Sequence, residues 1–495
     1  MDYSQFLVMK QEIGLLVVFL LVFLYDTFMP RKALKATSGI TTVLFALFTV
    51  GCFIWGQPAA ADGFSGMYAT SPVCAMIKNI LNVGVLIVLI QSVTWVNTDF
   101  QKVRRGEFYE LLLVTLFGMY LMISARHFLL FLIGLESASL PLAAMVAFDK
   151  NRYESHEAAV KYMLTAVFSS AIFMMGLSFV YGLSGSLYFE DIANQLGSEG
   201  NTLLIVALAF VISGIGFKLS LVPFHLWTAD VYQGAPTPVT SYLSVISKGA
   251  AAFAFLVVLV QAFGQFYTLI WEWMLYALII ATITIGNLFA IRQKNMKRFL
   301  AFSSISQAGY IMLGVVGCNT MGLGAMMFYI LVYIFSNLAA FGVIGAIENK
   351  TGKVEMTDYN GLSKTNPWLA FSMTLAMFSL AGIPPFAGFF SKFFIFTSAI
   401  DQTTAFPGID ATPIYVLVLI ALINTIVSLY YYLLVVKAMY LTPEESQIAN
   451  FRSSCMERVG LWVTVFGIIL LGIVSCFYNE ILTTASAADL FAFVK

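Results

Sequence analysis

Three lysines stand where an apolar chain has least reason to place an ammonium group. Lys218 lies in GFKLSLVPFHLW (216–227), five residues before Pro223 and seven before His225. Lys248 lies in SYLSVISKGAAAF (241–253), and Lys392 follows the second proline of GIPPFAG (382–388) by seven residues. Of 26 acidic residues, only Glu136, in FLLFLIGLESASLPLAAM, stands far from both ends of an apolar stretch. Burial disfavours a lysine's charged form and a nearby carboxylate restores it, so switching the carboxylate's influence loads and unloads a proton. A row of such groups at mid-depth is a proton relay, and His225 is a further titratable member of the row. Two blander readings stand beside this one. Lys161, one turn inside its stretch, and Lys437, near the end of another, are long enough to snorkel to the surface. An ion pair between Glu136 and a lysine would also serve simply to lock helices together. Metal and redox chemistry is not encoded: Cys52, Cys74, Cys318, Cys455 and Cys476 lack CxxC or zinc-type spacing, and His127, His156 and His225 are dispersed. No GxGxxG follows a strand, so no nucleotide or flavin fold is indicated.

Composition sets the elements that must hold these residues. The chain has 495 residues, 60% hydrophobic and 11% charged, with a mean hydropathy of +0.87; a soluble domain carries roughly 25% charged residues. An all-α integral membrane protein follows, since strands of alternating polarity are missing and a barrel would need them. Apolar stretches able to cross roughly 30 Å of hydrocarbon, at about 1.5 Å per residue, fall at 12–29, 36–56, 79–97, 110–124, 127–148, 157–182, 201–224, 240–262, 270–291, 299–316, 321–347, 368–400, 413–440 and 459–479. They make about fourteen transmembrane helices. The first, flanked by Asp2 and Glu12 and followed by no small-residue cleavage site, is expected to be retained.

Loop charges give the expected sidedness. One set of alternate loops holds 17 of the 26 basic residues: Arg31, Lys32 and Lys35; Lys102, Arg104 and Arg105; Lys150 and Arg152; Arg292, Lys294, Lys297 and Arg298; Lys350, Lys353 and Lys364; Arg452 and Arg458. The other side and the termini hold only Lys10, Lys78, Arg126 and Lys495. That asymmetry places both termini on the outer face. Lys161, Lys218, Lys248, Lys392 and Lys437 are left to the helices themselves. Formal net charge is zero and no dense basic run occurs, so no nucleic acid is expected as a partner.

Three short matches recur in order. YMLTAVFS (162–169) pairs with YILVYIFS (329–336), FLLFLIGLE (128–136) with FLAFSSISQ (299–307), and LVPF (221–224) with IPPF (383–386). Helices 4–8 therefore correspond to helices 9–13, with Gln307 on Glu136. Five is an odd number, so the second unit enters from the opposite side and the repeat is inverted. Proline breaks a helix interior, so helices 7 and 12 are expected to be broken at equivalent places. The expected divisions are 1–105 for helices 1–3, 106–266 for the first repeat, 267–442 for the second, and 443–495 for helix 14.

GLESASLP, GFKLSLVPFHLWTADVYQGAPTPVT (216–240), SKGAAAF (247–253), KRFLAFSSISQAGY (297–310) and SLAGIPPFAGFFSKFFIF (379–396) resemble the antiporter-like membrane subunits of respiratory complex I, the bacterial NADH–quinone oxidoreductase. The likeness is to its N branch. The M branch carries a glutamate where Lys392 stands, and the L branch adds a long lateral helix that the residues after helix 14 are too few to form. The resemblance implies that Glu136 and Lys218 form a coupling pair, Lys248 the central relay and Lys392 the terminal lysine towards an outer exit. It gives His225 a bridging place and Lys161 a possible helix 6 role. It further implies a hetero-oligomer in the bacterial inner membrane with subunits K, J, M and a lateral helix of L. FMN and iron–sulfur clusters belong to partner subunits, no cofactor is bound by this chain, and quinone reduction occurs elsewhere in the assembly. A subunit of a multi-subunit cation/proton antiporter and a purely structural membrane spacer are the two other readings.

Overall fold

In hydrocarbon every backbone N–H and C=O must find its partner within the protein, which a helix achieves segment by segment. The computed structural model describes residues 3–30, 33–56, 58–98, 104–196, 202–405, 410–442 and 446–487. Within them the chain is nearly all helix. Arg31, Lys32, Lys102 and Lys495, used above for sidedness, lie outside the described residues.

Thirteen helices among the described residues are long and apolar enough to cross a membrane. In chain order they are helix 1 (Gln5–Phe28), 2 (Leu34–Ile54), 3 (Pro72–Val96), 4 (Arg105–Ser124), 5 (Phe128–Val146), 6 (Tyr153–Ser184), 7 (Thr202–Leu219), 8 (Thr237–Phe266), 9 (Glu272–Ala290), 10 (Met296–Val316), 11 (Thr320–Thr351), 13 (Thr412–Leu441) and 14 (Cys455–Ile473). Helix 12 completes the expected set as two shorter pieces, Pro367–Ala381 and Ala387–Ala405. Helix 7 likewise resumes after its break as Leu226–Gly234. Local chemistry fixes several ends. Ser71 accepts from the Cys74 N–H ahead of Pro72, Asn295 from the Lys297 and Arg298 N–H groups, and Asn319 from the Gly322 N–H, each satisfying donors that a helix start leaves over.

Helices 8 and 10 form the centre. Their apolar windows are wholly buried inside the protein, whereas those of helices 1, 6 and 13 are 22%, 28% and 33% buried and present the rest outward. Helices 4 and 5 approach closely because Gly118 and Gly134 face each other's backbones: a Cβ on Gly118 would lie 2.5 Å from the Ala138 nitrogen.

Three local features differ from the sequence expectation. A hairpin, Ala61–Gly63 with Tyr68–Thr70, and a short helix, Phe189–Gln195, lie on the face that carries the N-terminus. His127 also belongs there, its Nδ1 accepting from the Leu129 N–H to cap helix 5. The stretch expected as one helix over 459–479 ends instead at Ile473, where Val474 turns extended and a separate helix, Cys476–Ser486, begins. Tyr478 on that piece stacks on Phe394 of helix 12 at 3.7 Å, and this packing fixes the turn.

Candidate functional site

The three deep lysines are all buried, Lys218 at 3% exposure, Lys248 at 2% and Lys392 at 5%. Each stands at an irregularity in its helix, and the break beside Lys392 hands that lysine carbonyls that an intact helix would have used internally.

Lys218 is the penultimate residue of the first segment of helix 7. Its ammonium donates to Ser139 Oγ at 2.7 Å and Tyr162 Oη at 3.2 Å. The break beyond it is made by Ser220, whose φ is +62°. Side chains satisfy the groups it strands: Thr282 Oγ1 of helix 9 accepts from the Val222 N–H at 2.9 Å, and Trp227 Nε1 donates to the Phe217 carbonyl at 3.1 Å. His225 lies within the break, 7% exposed, and its Nδ1 has no hydrogen-bond partner among the described residues.

Lys248 follows a single widened turn, Leu243–Ser247, of the π type, the form of helix that recurs at functional positions. Its ammonium donates to Ser304 Oγ at 2.7 Å and to the Ser304 carbonyl at 3.3 Å, and stands 5.5 Å from the Tyr232 ring. Lys392 caps the first segment of helix 12, donating to the Leu380 carbonyl at 2.9 Å and the Ala381 carbonyl at 3.0 Å, with the Tyr310 ring 5.2 Å away. A cation at a helix C-terminus meets the negative end of the macrodipole. Gly382 makes the turn possible, with φ at +86° and room for no Cβ farther than 3.0 Å from Lys392 Cδ.

Glu136 is only half-buried and forms no ion pair with Lys218 among the described residues. Ser139, three residues on and on the same helical face, takes the ammonium. Lys161 lies apart from the buried row: its side chain is 42% exposed and bonded to Glu157 and Asp230, each at 2.7 Å. Lys437 is exposed.

Sequence reasoning missed the groups between the lysines. SSIS in helix 10 places Ser304 on Lys248 and Ser303 on Tyr432 of helix 13 at 2.5 Å. Gln307 then donates to Tyr432 at 3.2 Å and accepts from Tyr329. Four polar residues in five at the middle of an apolar span were the available signal. Lys78 and Lys297, assigned above to loops, are 0% and 2% exposed. Lys78 sits on the seventh residue of helix 3 with its ammonium 2.5 Å from Glu12, and Lys297 lies 3.4 Å from Glu348, which Arg152 also holds at 2.7 Å. Nearness to a helix end in sequence did not mean contact with water, because neighbouring helices cover those ends. Among the described residues no group of three or more His, Cys, Asp or Glu is placed to hold a metal ion.

Residues 125–408 match the model of a family described as NADH:quinone oxidoreductase/Mrp antiporter, transmembrane. The protein named NADH-quinone oxidoreductase subunit N of Phocaeicola vulgatus is 52% identical over 486 residues, 98% of this chain and 100% of that one. A chain of respiratory complex I from Thermus thermophilus superimposes with a TM-score of 0.78 at 31% identity, covering 96% of this chain and 98% of its own. A chain of the Mrp complex from Dietzia sp. DQ12-45-1b shares the fold, with a TM-score of 0.82 at 21% identity over 100% and 99% of the two chains.

Proposed function

The chain belongs to the NADH:quinone oxidoreductase/Mrp antiporter transmembrane family, and from that premise we propose that it is the N-type proton-translocating subunit of an NADH–quinone oxidoreductase. It is an antiporter-like, multi-pass membrane subunit of the complex I kind. Its proton path runs from Lys218 through Lys248 to Lys392, with Glu136 biasing the first step. The observation that carries this reading is the placement of three buried ammonium groups at three helix irregularities, each held by hydroxyls or backbone carbonyls.

Electron transfer in partner subunits, which hold FMN and iron–sulfur clusters, alters the field at Glu136. One unit charge at about 4 Å is worth about 4 kcal/mol at an effective dielectric near 20, or about a thousandfold in proton affinity. A change of that order moves a proton from Lys218 towards Lys248, and repulsion between successive ammonium groups drives Lys392 to release its proton at the outer face. His225, buried between Lys218 and Lys248 in the chain, bridges the first step. Subunits K, J and M and a lateral helix of L surround it in the inner membrane, with both termini outside.

NADH-driven proton uptake by inverted membrane vesicles tests the path. Lys218→Met is expected to lower the proton yield per NADH while NADH oxidation by a hydrophilic acceptor is kept, and an unchanged yield overturns the path. The shared Mrp fold supports a second reading, a subunit of a cation/proton antiporter. Purification of the intact assembly decides between them: flavin and iron–sulfur signals in it support the first reading, and an intact assembly without them supports the second.

A further inference from the structure

Glu12 and Lys78 form an ion pair that the relay does not use. Their side chains are each 1% exposed, and Lys78 Nζ lies 2.5 Å from Glu12 Oε1 and 2.7 Å from Ser124 Oγ of helix 4. Removing two opposite charges from water costs several kcal/mol per ion before their attraction returns it, and three helices joined by apolar contact have no need of them. Two features of the surroundings suit exchange with water. A cavity of about 410 Å³ between helices 1 and 2 opens on the face carrying the N-terminus, and Glu12, Gln11, Lys10 and Thr70 are among the groups that line it. On the inward side, the Tyr120 ring is 5.4 Å from Lys78 Nζ, and Tyr120 donates its hydroxyl to Asn82, one turn along helix 3 from Lys78. Asn82 is fully buried, and its Nδ2 has no partner among the described residues.

Helix 4 lies between this polar cluster and helix 8. One side of it presents Tyr120 and Ser124 to Lys78. The other presents Thr115 and Met119 to Tyr242, whose hydroxyl lies 2.8 Å from Thr115 Oγ1 and 3.8 Å from Met119 Sδ. Tyr242 precedes Lys248 by six residues, across the π turn.

We propose that Glu12 and Lys78 form a second proton-exchange site, outside the central row, that trades protons with the outer face through the cavity between helices 1 and 2 and with the protein interior on the side of Tyr120 and Asn82. The ammonium of Lys78 passes its proton to the carboxylate of Glu12, Glu12 releases it to water in the cavity, and Lys78 is reprotonated from the inward side, so charge and protons balance over the cycle. The inference rests on the translocating function proposed above.

The experiment measures proton yield per NADH in vesicles from cells carrying the whole complex, for Lys218→Met, for Glu12→Gln, for Lys78→Met and for the charge-free double variant of Glu12→Gln with Lys78→Met. The double variant has no buried charge left unpaired. It is expected to assemble, to oxidise NADH at the parental rate, and to lose yield. Full yield from it would show that the pair only fastens helices 1, 3 and 4, and would overturn the site. Should the double variant not assemble, Glu12→Asp keeps the charge with one methylene less reach. Lowered yield from it supports exchange, and parental yield overturns the site. Lys218→Met separates the two claims, since a normal yield from it overturns the central path whatever Glu12 and Lys78 do.

Discussion

Ser139 is the sharpest point at which to press the proposed path. It holds the Lys218 ammonium at 2.7 Å, and among the described residues its one fellow partner there is Tyr162 at 3.2 Å. Ser139→Ala removes one hydrogen bond to a charged group, worth about 1.5–3 kcal/mol, and deletes only the hydroxyl, keeping Cβ in place. The ammonium form of Lys218 loses that amount relative to the neutral amine, roughly 10- to 100-fold in proton occupancy. Ser139 is buried within this chain, so NADH oxidation by a hydrophilic acceptor is expected to stay at the parental rate. Proton yield per NADH falls, more steeply at alkaline than at acid pH, because bulk protons compensate a weakened ammonium only when they are abundant. Ser139→Thr keeps the hydroxyl and is expected to restore most of the yield. The assay is quenching of a pH-sensitive dye in inverted vesicles from pH 6 to 8.5. Parental yield from Ser139→Ala across that range would refute the claim that the ammonium on Lys218 is the species that enters the relay.

Three further changes probe other links. Lys161→Met removes a part-exposed pair with Glu157 and Asp230, a loss of below about 1 kcal/mol, and is expected to leave proton yield near parental; a large loss would place Lys161 in the path after all. Glu348→Ala leaves Lys297 buried without its carboxylate, at about 3–5 kcal/mol, so the amount of assembled complex on native gels is expected to drop, whereas Glu348→Gln is expected to drop it less. Gly382→Ala forces a side chain into a left-handed turn beside Lys392 at about 1–2 kcal/mol, and is expected to lower proton yield and the melting temperature together, as read by vesicle assay and by thermal unfolding of the purified assembly.

How much of this was legible in the sequence depends on whether a property is local. Depth along a helix is local: each residue adds about 1.5 Å, so Lys218, Lys248 and Lys392 were identifiable as deep, and all three are buried. Proline is local too, and LVPF and IPPF marked the interruptions of helices 7 and 12. Partnership is not local. Lys218 meets Ser139 across 79 residues, Lys248 meets Ser304 across 56 and Lys78 meets Glu12 across 66, and no spacing rule reaches that far. The same limit explains the misreading of Lys78 and Lys297 as loop charges, since whether a helix end is wet depends on which other helix covers it. It also hid Ser139, which stands one turn away on the helix of Glu136 and offers the Lys218 ammonium a partner without the desolvation of a second charge. An ammonium held by hydroxyls or carbonyls is free to pass its proton along a row when the field changes, whereas one paired with a touching carboxylate exchanges its proton only with that partner, as proposed for Lys78 with Glu12. The neutral ligands of Lys218, Lys248 and Lys392, hydroxyls and carbonyls without a touching carboxylate among the described residues, suit the proposed relay and set these three lysines apart from a pair such as Lys297 with Glu348.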